Sequence, residues 1–308
     1  MGRLKKHLYK LLYRLGVLKP YWEIDRYRYL KRVMRSQRLD WRYAQEADQQ
    51  QFSSSEAVIR CNQFSPPVFF YCDPKSKVER DIIKDKGYQP QISDLLFDYF
   101  RDEIVFLDVG ANIGFFSIVA AKQCPGMSVH AFEPHQSIYA RLQRNIDLNH
   151  NPPNLEIFPF ALSNFSGSTM LYTASPEDFN QGVSSLGADM DGVRNDISQN
   201  VQVRQIDEIY ENSIRPVSVI KIDVQGFEPE VLRGGERTIS RFRPVIVLEH
   251  NDKLFKSTSE AHLKKDALKT FFREQGYRVL YVSLFGSSLL APVQWDRPLD
   301  GDLLALPN

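Results

Sequence analysis

From about residue 104 onward, short apolar runs alternate with amphipathic stretches. The runs at 104–109, 128–132, 155–161, 217–224, 245–249 and 277–282 are rich in Val, Ile, Leu and Phe and predict buried strands. Between them, 115–123, 137–148, 229–239 and 264–275 predict helices, with Ile138, Leu142 and Ile146 on one face of the second. Continuous apolar strands alternating with helices predict an α/β fold, a mostly parallel sheet covered on both faces. The run at 303–306 is expected to return as an antiparallel edge strand. Upstream, 50–100 reads as irregular and strand-like through Val68, Phe69, Phe70 and Tyr71, then helical from about Ser93, where Leu95, Leu96 and Tyr99 line one side. One stretch breaks the alternation: 175–200 is rich in Gly, Ser, Asp and Asn, and a long insert without periodicity reads as a substrate loop.

Charge changes the picture at the start of the chain. Of 308 residues with a formal net charge of +1, the first 42 hold 13 basic and three acidic residues. Leu4, Leu8, Leu11, Leu12, Leu15 and Leu18 fall on one helical face there, so 1–50 reads as a basic amphipathic helical extension. Its leucine stripe fits packing on the main domain or a second subunit. It also fits contact with anionic lipid or an acidic protein partner, with nucleic acid the least favoured. The expected organisation is this extension, a lead-in or lid segment over 51–103, and a catalytic domain over 104–308. No apolar run reaches the roughly 18 residues that a bilayer span requires. Cys61, Cys72 and Cys124 lack metal-site or redox spacing, so no metal is expected, and a reducing, cytoplasmic setting with peripheral membrane contact at most is.

Candidate chemistry gathers at the ends of the expected strands. Asp108, Gly110, Asn112 and Gly114 sit where an apolar strand meets an apolar helix. Glycines there let backbone approach a ligand, and the carboxyl ends of strands are where open α/β sheets bind. The spacing G-x-x-x-G departs from the dinucleotide fingerprint G-x-G-x-x-G, which argues against a dehydrogenase. It favours S-adenosyl-L-methionine, whose ammonium Asp108 would face while loop amides face its carboxylate. Glu133, about 20 residues on, suits a ribose diol. Asp223 ends the strand at 217–224 and would position the methyl donor or acceptor; capping the next helix is its alternative role, as it is for Glu228. His250 is a candidate general base or a structural histidine, and Glu249 the competing base or orienter.

Four blocks, 108–114, 132–134, 221–230 and 248–251, together resemble the FkbM-type methyltransferases, with similarity from about Asp73 to the end of the chain and through Gly87, Tyr88, Gln89 and Pro90. The resemblance implies a Rossmann-like, seven-stranded, mostly parallel sheet. It implies S-adenosyl-L-methionine as donor and O-methylation of a hydroxyl on a sugar, glycolipid or other natural-product acceptor. By resemblance, Asp108, Gly110, Asn112, Gly114 and Glu133 bind the cofactor, and Asp223 and the residues through Glu228 line the reaction site. Gln225 stands where the family often has glutamate. N-methylation of an amine or protein, and a silent methyltransferase fold serving as an interaction module, are the competing readings.

Overall fold

The computed structural model describes residues 56–61, 63–173, 184–186, 194–255, 257–282 and 290–308. The expected basic helix over 1–50 lies outside the described residues.

The chain is described from a hairpin, β1 (Ala57–Cys61) and β2 (Val68–Cys72), followed by helices α1 (Lys77–Asp85) and α2 (Pro90–Phe97). Then β3 (Val105–Val109), α3 (Phe115–Gln123), β4 (Ser128–Phe132), α4 (Gln136–Leu148) and β5 (Leu155–Phe158) alternate as expected. Pro159 ends β5, because it has no N–H for the ladder, so the single run at 155–161 divides and β6 (Phe160–Leu162) joins another sheet. There follow β7 (Gly167–Thr173), β8 (Ser184–Ser185), β9 (Arg194–Arg204), α5 (Ile206–Tyr210) and β10 (Val217–Ile222). The helix expected over 229–239 is two short ones, α6 (Glu228–Gly234) and α7 (Glu236–Phe242), meeting at Gly235. The remainder is β11 (Val245–Asn251), α8 (Thr258–Glu274), β12 (Tyr277–Val282), β13 (Leu290–Pro292) and β14 (Asp300–Pro307).

The main sheet has eight strands in the order β13-β12-β14-β11-β10-β3-β4-β5, not seven. Neighbours from β11 to β5 pair in parallel. All five residues of β3 are buried, as a central parallel strand requires. β14 is not the expected edge strand. It inserts antiparallel between β11 and β12, and the reason lies in its sequence: Leu303, Leu304 and Ala305 are consecutive and buried, which needs a neighbour on each side and cover on both faces. The short β13 takes the edge instead.

The outlying segments are described in part. Part of the presumed loop over 175–200 is regular strand: β9 runs antiparallel to β7 and buries Val201 and Val203 in alternation, within a four-stranded sheet β6-β9-β7-β8. Residues 175–183 and 187–193 of that stretch lie outside the described residues. The described part of 51–103 packs into the same compact unit as the sheet, Ser54–Asn308. Helix α3 explains why. It is apolar on every side, with Phe115, Phe116, Ile118, Val119, Ala120 and Ala121 all buried, so it needs cover on the face away from the sheet. Phe115 stacks on Phe70 of β2 and meets Tyr88 edge-on. Two asparagines one turn apart, Asn145 of α4 and Asn149 at its C-cap, fasten the hairpin by accepting from the backbone N–H groups of Tyr71 and Phe69 at 2.8 and 3.0 Å.

Candidate active site

The sheet reverses its strand order between β3 and β10, since the chain runs outward to β4 and β5 on one side and to β11 on the other. Loops leave such a switch point in opposite directions and open a crevice at the strands' carboxyl ends. A cavity of about 350 Å³ lies there, walled by Gly110, Asn112, Glu133, Asp223, Gln225 and Glu249 among others. α1 and the turn before α2 close one side with Lys77, Asp81, Tyr88 and Gln89.

The turn after β3 is shaped by side chains that can do little else there. Gly110 has φ +79°, and a Cβ at that position would lie 1.9 Å from the Asp223 carbonyl oxygen, so only glycine lets the tips of β3 and β10 meet. Asn112 has φ 51°, a left-handed conformation that asparagine tolerates, and its Oδ1 accepts from the Ile113 N–H at 2.8 Å. The loop amides expected to face the cofactor already donate within the protein. Gly110 and Ala111 donate to the Phe132 carbonyl, Asn112 to Glu133 and Gly114 to the Ala111 carbonyl. Asp108 also stands elsewhere than expected. It is fully buried behind the cavity wall, where it accepts from the Ser117 hydroxyl and its Oδ1 lies 3.8 Å from Lys221 Nζ.

Glu133 does reach the cavity. Its two oxygens accept from the backbone N–H groups of Asn112 and His135, both at 2.9 Å, which fixes the carboxyl while leaving lone pairs for a ligand. Burial pushes its pKa up to about 7, against those two hydrogen bonds.

The tips of β10, β11 and β14 form an acidic face around one buried cation. Lys221 pairs across the ladder with Asp108 and Val247, so Asp223 and Glu249, each two residues further on, share its face, and Asp302 is the cross-strand partner of Glu249. Lys221 Nζ lies 3.6 Å from Asp223 Oδ2 and 5.0 Å above the Phe116 ring. Burial alone would lower its pKa; the carboxylates of Asp223, Asp108, Glu249 and Asp302 outweigh that and raise it. The Asp223 charge, then burial, then Asp302 push Glu249 up to about 9, and burial with Asp223 pushes Asp302 up to about 7. Gln225 donates from Nε2 to Asp223 Oδ1 at 2.8 Å. A glutamate there could not donate in its ionised form, so the departure from the family pattern supplies a hydrogen bond to the carboxyl in the cavity wall.

His250 is not brought to this site. Strand residues alternate faces, and Glu249 and Asn251 line the cavity while His250, 1% exposed, points to the opposite side. Its Nε2 is 3.0 Å from Asp252 Oδ1 and its Nδ1 3.6 Å from Glu228 Oε2. Glu228 is likewise buried, its Oε1 accepting from the Gly226 N–H. Lys221 and Asp302 escaped the sequence reading. Asp302 left one trace, since Asp300 and Asp302 precede an apolar run with period two, as a polar strand tip does.

The donor set suits S-adenosyl-L-methionine. Glu133 is anchored with lone pairs to spare for a ribose diol, Asp223 and Glu249 offer anionic or accepting oxygens to an ammonium, and Phe132, Pro134, Phe160 and Leu162 give an apolar wall for a purine. No group of three or more His, Cys, Asp or Glu side chains among the described residues could hold a metal, and none of their helices is long and apolar enough to cross a membrane. Residues 108–279 match the methyltransferase FkbM domain. The chain is 32% identical over 221 residues to the AMB antimetabolite synthetase AmbE of Pseudomonas aeruginosa, a match spanning 59% of this chain and only 10% of that protein. It is 29% identical over 171 residues to the hexuronic acid methyltransferase AglP of Haloferax volcanii, covering 54% of this chain and 65% of that one. Similarity to the 31-O-demethyl-FK506 methyltransferase FkbM of Streptomyces tacrolimicus is 29% over 198 residues, 56% of this chain and 73% of that one. The chain belongs to the FkbM methyltransferase family, with S-adenosyl-L-methionine as the methyl donor.

Proposed function

We propose that the protein O-methylates a hydroxyl on a neutral sugar, glycolipid or other natural-product acceptor. The observation that carries this reading is the acidic wall opposite the glycine turn, where Asp223 and Glu249 reach the same cavity as Glu133. Bound S-adenosyl-L-methionine supplies an electrophilic methyl carbon on a sulfonium, whose departure as a thioether needs no acid. The part left to the chain's own residues would be to hold the acceptor hydroxyl beside the bound donor and to take its proton on a carboxylate as its oxygen gains the methyl group. Asp223 suits that task, because Gln225 and Lys221 fix both of its oxygens. Glu249, neutral below about pH 9, suits the partner task of donating a hydrogen bond to an acceptor oxygen. Orientation supplies much of the remaining acceleration, on the order of 7 kcal/mol. An anionic acceptor would meet repulsion from this wall, which favours neutral hydroxyls over carboxylate sugars.

The excess of acids over Lys77 and Lys221 in the cavity also favours a second reading, N-methylation of a cationic amine. Incubation with methyl-labelled S-adenosyl-L-methionine and a panel of neutral glycosides, glycolipids, hexuronates and amines separates the two. Label on a neutral hydroxyl, reduced at least a hundredfold by Asp223→Asn, is the expected outcome. Label on nitrogen supports the second reading, and undiminished transfer by Asp223→Asn removes the assignment of Asp223.

A further inference from the structure

The reaction uses the residues on the cavity face of β10 and β11, and leaves unexplained a line of buried charge on the other side. The turn joining β10 to α6 is unusual in its backbone: Gln225 (φ 51°) and Gly226 (φ 96°) are both left-handed, a conformation that costs energy for glutamine and persists only when its surroundings hold it. What holds it is Glu228, whose Oε1 accepts from the Gly226 N–H at 2.8 Å. Glu228 Oε2 has no hydrogen-bond partner among the described residues and faces His250 Nδ1, which also has none, at 3.6 Å. The histidine is fixed from behind. Its Nε2 meets Asp252 Oδ1 at 3.0 Å, and Asp252 Oδ2 accepts from Lys265 Nζ at 3.0 Å and from the Leu299 N–H at 2.9 Å.

This arrangement sets a proton count. A neutral imidazole has one N–H to offer, and here it stands between two carboxyl groups. If that N–H serves Asp252, the Nδ1 lone pair confronts the lone pairs of Glu228 Oε2, both out of reach of water. One further proton, on Nδ1 or on Oε2, turns that confrontation into an attraction. We propose that Glu228 and His250 are positioning residues that share this proton, and that the shared proton holds the turn at 224–226 and hence sets Asp223 and Gln225 in the cavity wall. The charged groups facing His250 are Glu228 from α6, Asp252 from the turn after β11 and, through Asp252, Lys265 from α8. Across the ladder stands Gly301 of β14, and the neighbouring Asp300 pairs with Lys253. The proposal extends the methyl-transfer reading, but its test reads the turn directly and needs no acceptor, so the two stand or fall separately.

The test is amide hydrogen exchange at Gly226 in the full chain across pH 6 to 9, beside calorimetric affinity for S-adenosylhomocysteine. In the natural protein, protection of the Gly226 N–H should drop at least tenfold toward alkaline pH after correction for intrinsic exchange, while Ile220 and Leu248 in the neighbouring strands keep theirs. Glu228→Gln keeps an oxygen for Gly226 and brings an N–H that can point at Nδ1 without a titrating proton. It should retain protection and lose the pH dependence. Glu228→Ala should lose protection at every pH and weaken S-adenosylhomocysteine severalfold. Protection independent of pH in the natural protein, or a loss spread evenly over the strand amides, would overturn the proposal. Should Glu228→Ala fail to fold, the natural protein and Glu228→Gln decide the matter between them.

Discussion

The two faces of one strand end, at Glu249 and His250 of β11, carry similar numbers of charges and handle them in opposite ways. On the cavity face Asp108, Asp223, Glu249 and Asp302 surround Lys221, and the excess of negative charge shows as the raised pKa values of Glu249 and Asp302. On the other face Lys265 and the Leu299 N–H meet Asp252, which these partners hold below its ordinary pKa although burial pushes upward. Only the first of these faces opens on the cavity, so only there can an arriving ligand relieve the excess of charge that the protein alone does not.

Removing charge from each face breaks or sharpens this contrast. Asp108→Ala should have the largest effect, since it strips the most buried acid from beside a buried lysine; about 3 kcal/mol of stability should disappear in urea melts. A loss as small as that of an exposed pair would mean that Lys221 already relies on Asp223 alone.

Glu249→Gln should act in the other direction. A carboxyl whose pKa rises from 4.5 unfolded to about 9 folded stabilises the fold fully below the unfolded value, and that stabilisation is lost as pH climbs toward 9. The natural protein should therefore lose stability between pH 5 and 9, and the glutamine variant should lose about 1–2 kcal/mol less over that range while matching it at pH 5. Parallel melting curves for the two proteins would contradict the frustrated-face description.

The smallest effect is expected at Glu133. Its carboxylate form, dominant above about pH 7, is the better acceptor for a ribose diol. S-adenosylhomocysteine affinity should fall by at most tenfold per pH unit below that point, and Glu133→Gln should flatten the curve. An affinity that keeps its slope in Glu133→Gln would move the titrating group elsewhere.

How much of this could be read beforehand divides along physical lines. Helix α3 and the strands β3 and β4 follow from apolar pattern alone, because a central parallel strand has no alternation to misread. The places of Gly110, Asn112 and Glu133 followed from where strands end. The direction of a strand-tip side chain did not. His250 and Glu249 are adjacent, both polar and both at the end of β11, and a one-residue difference in phase sends one to the cavity and the other away from it. Asp108 differs in depth and not in face: it shares the cavity face with Lys221 but lies beneath it against Ser117, and a strand apolar on both sides carries no signal of depth. The position of β14 depended on a pairing distant in sequence. Its apolar run marked it as strand, and only the sheet shows that both of its sides are occupied.

That last strand has a consequence for how the protein comes together. β12 does not touch β11 directly; β14 lies between them, pairing with both. Residues 277–282 therefore have no seat on the growing sheet until residues 300–307 have been made, and the acidic face gains Asp302 only at that moment. A ribosome-bound chain stopped just past β12 should present the glycine turn and Glu133 with the sheet still open at β11, and the acidic face should become complete only once residues 300–307 have paired with both neighbours.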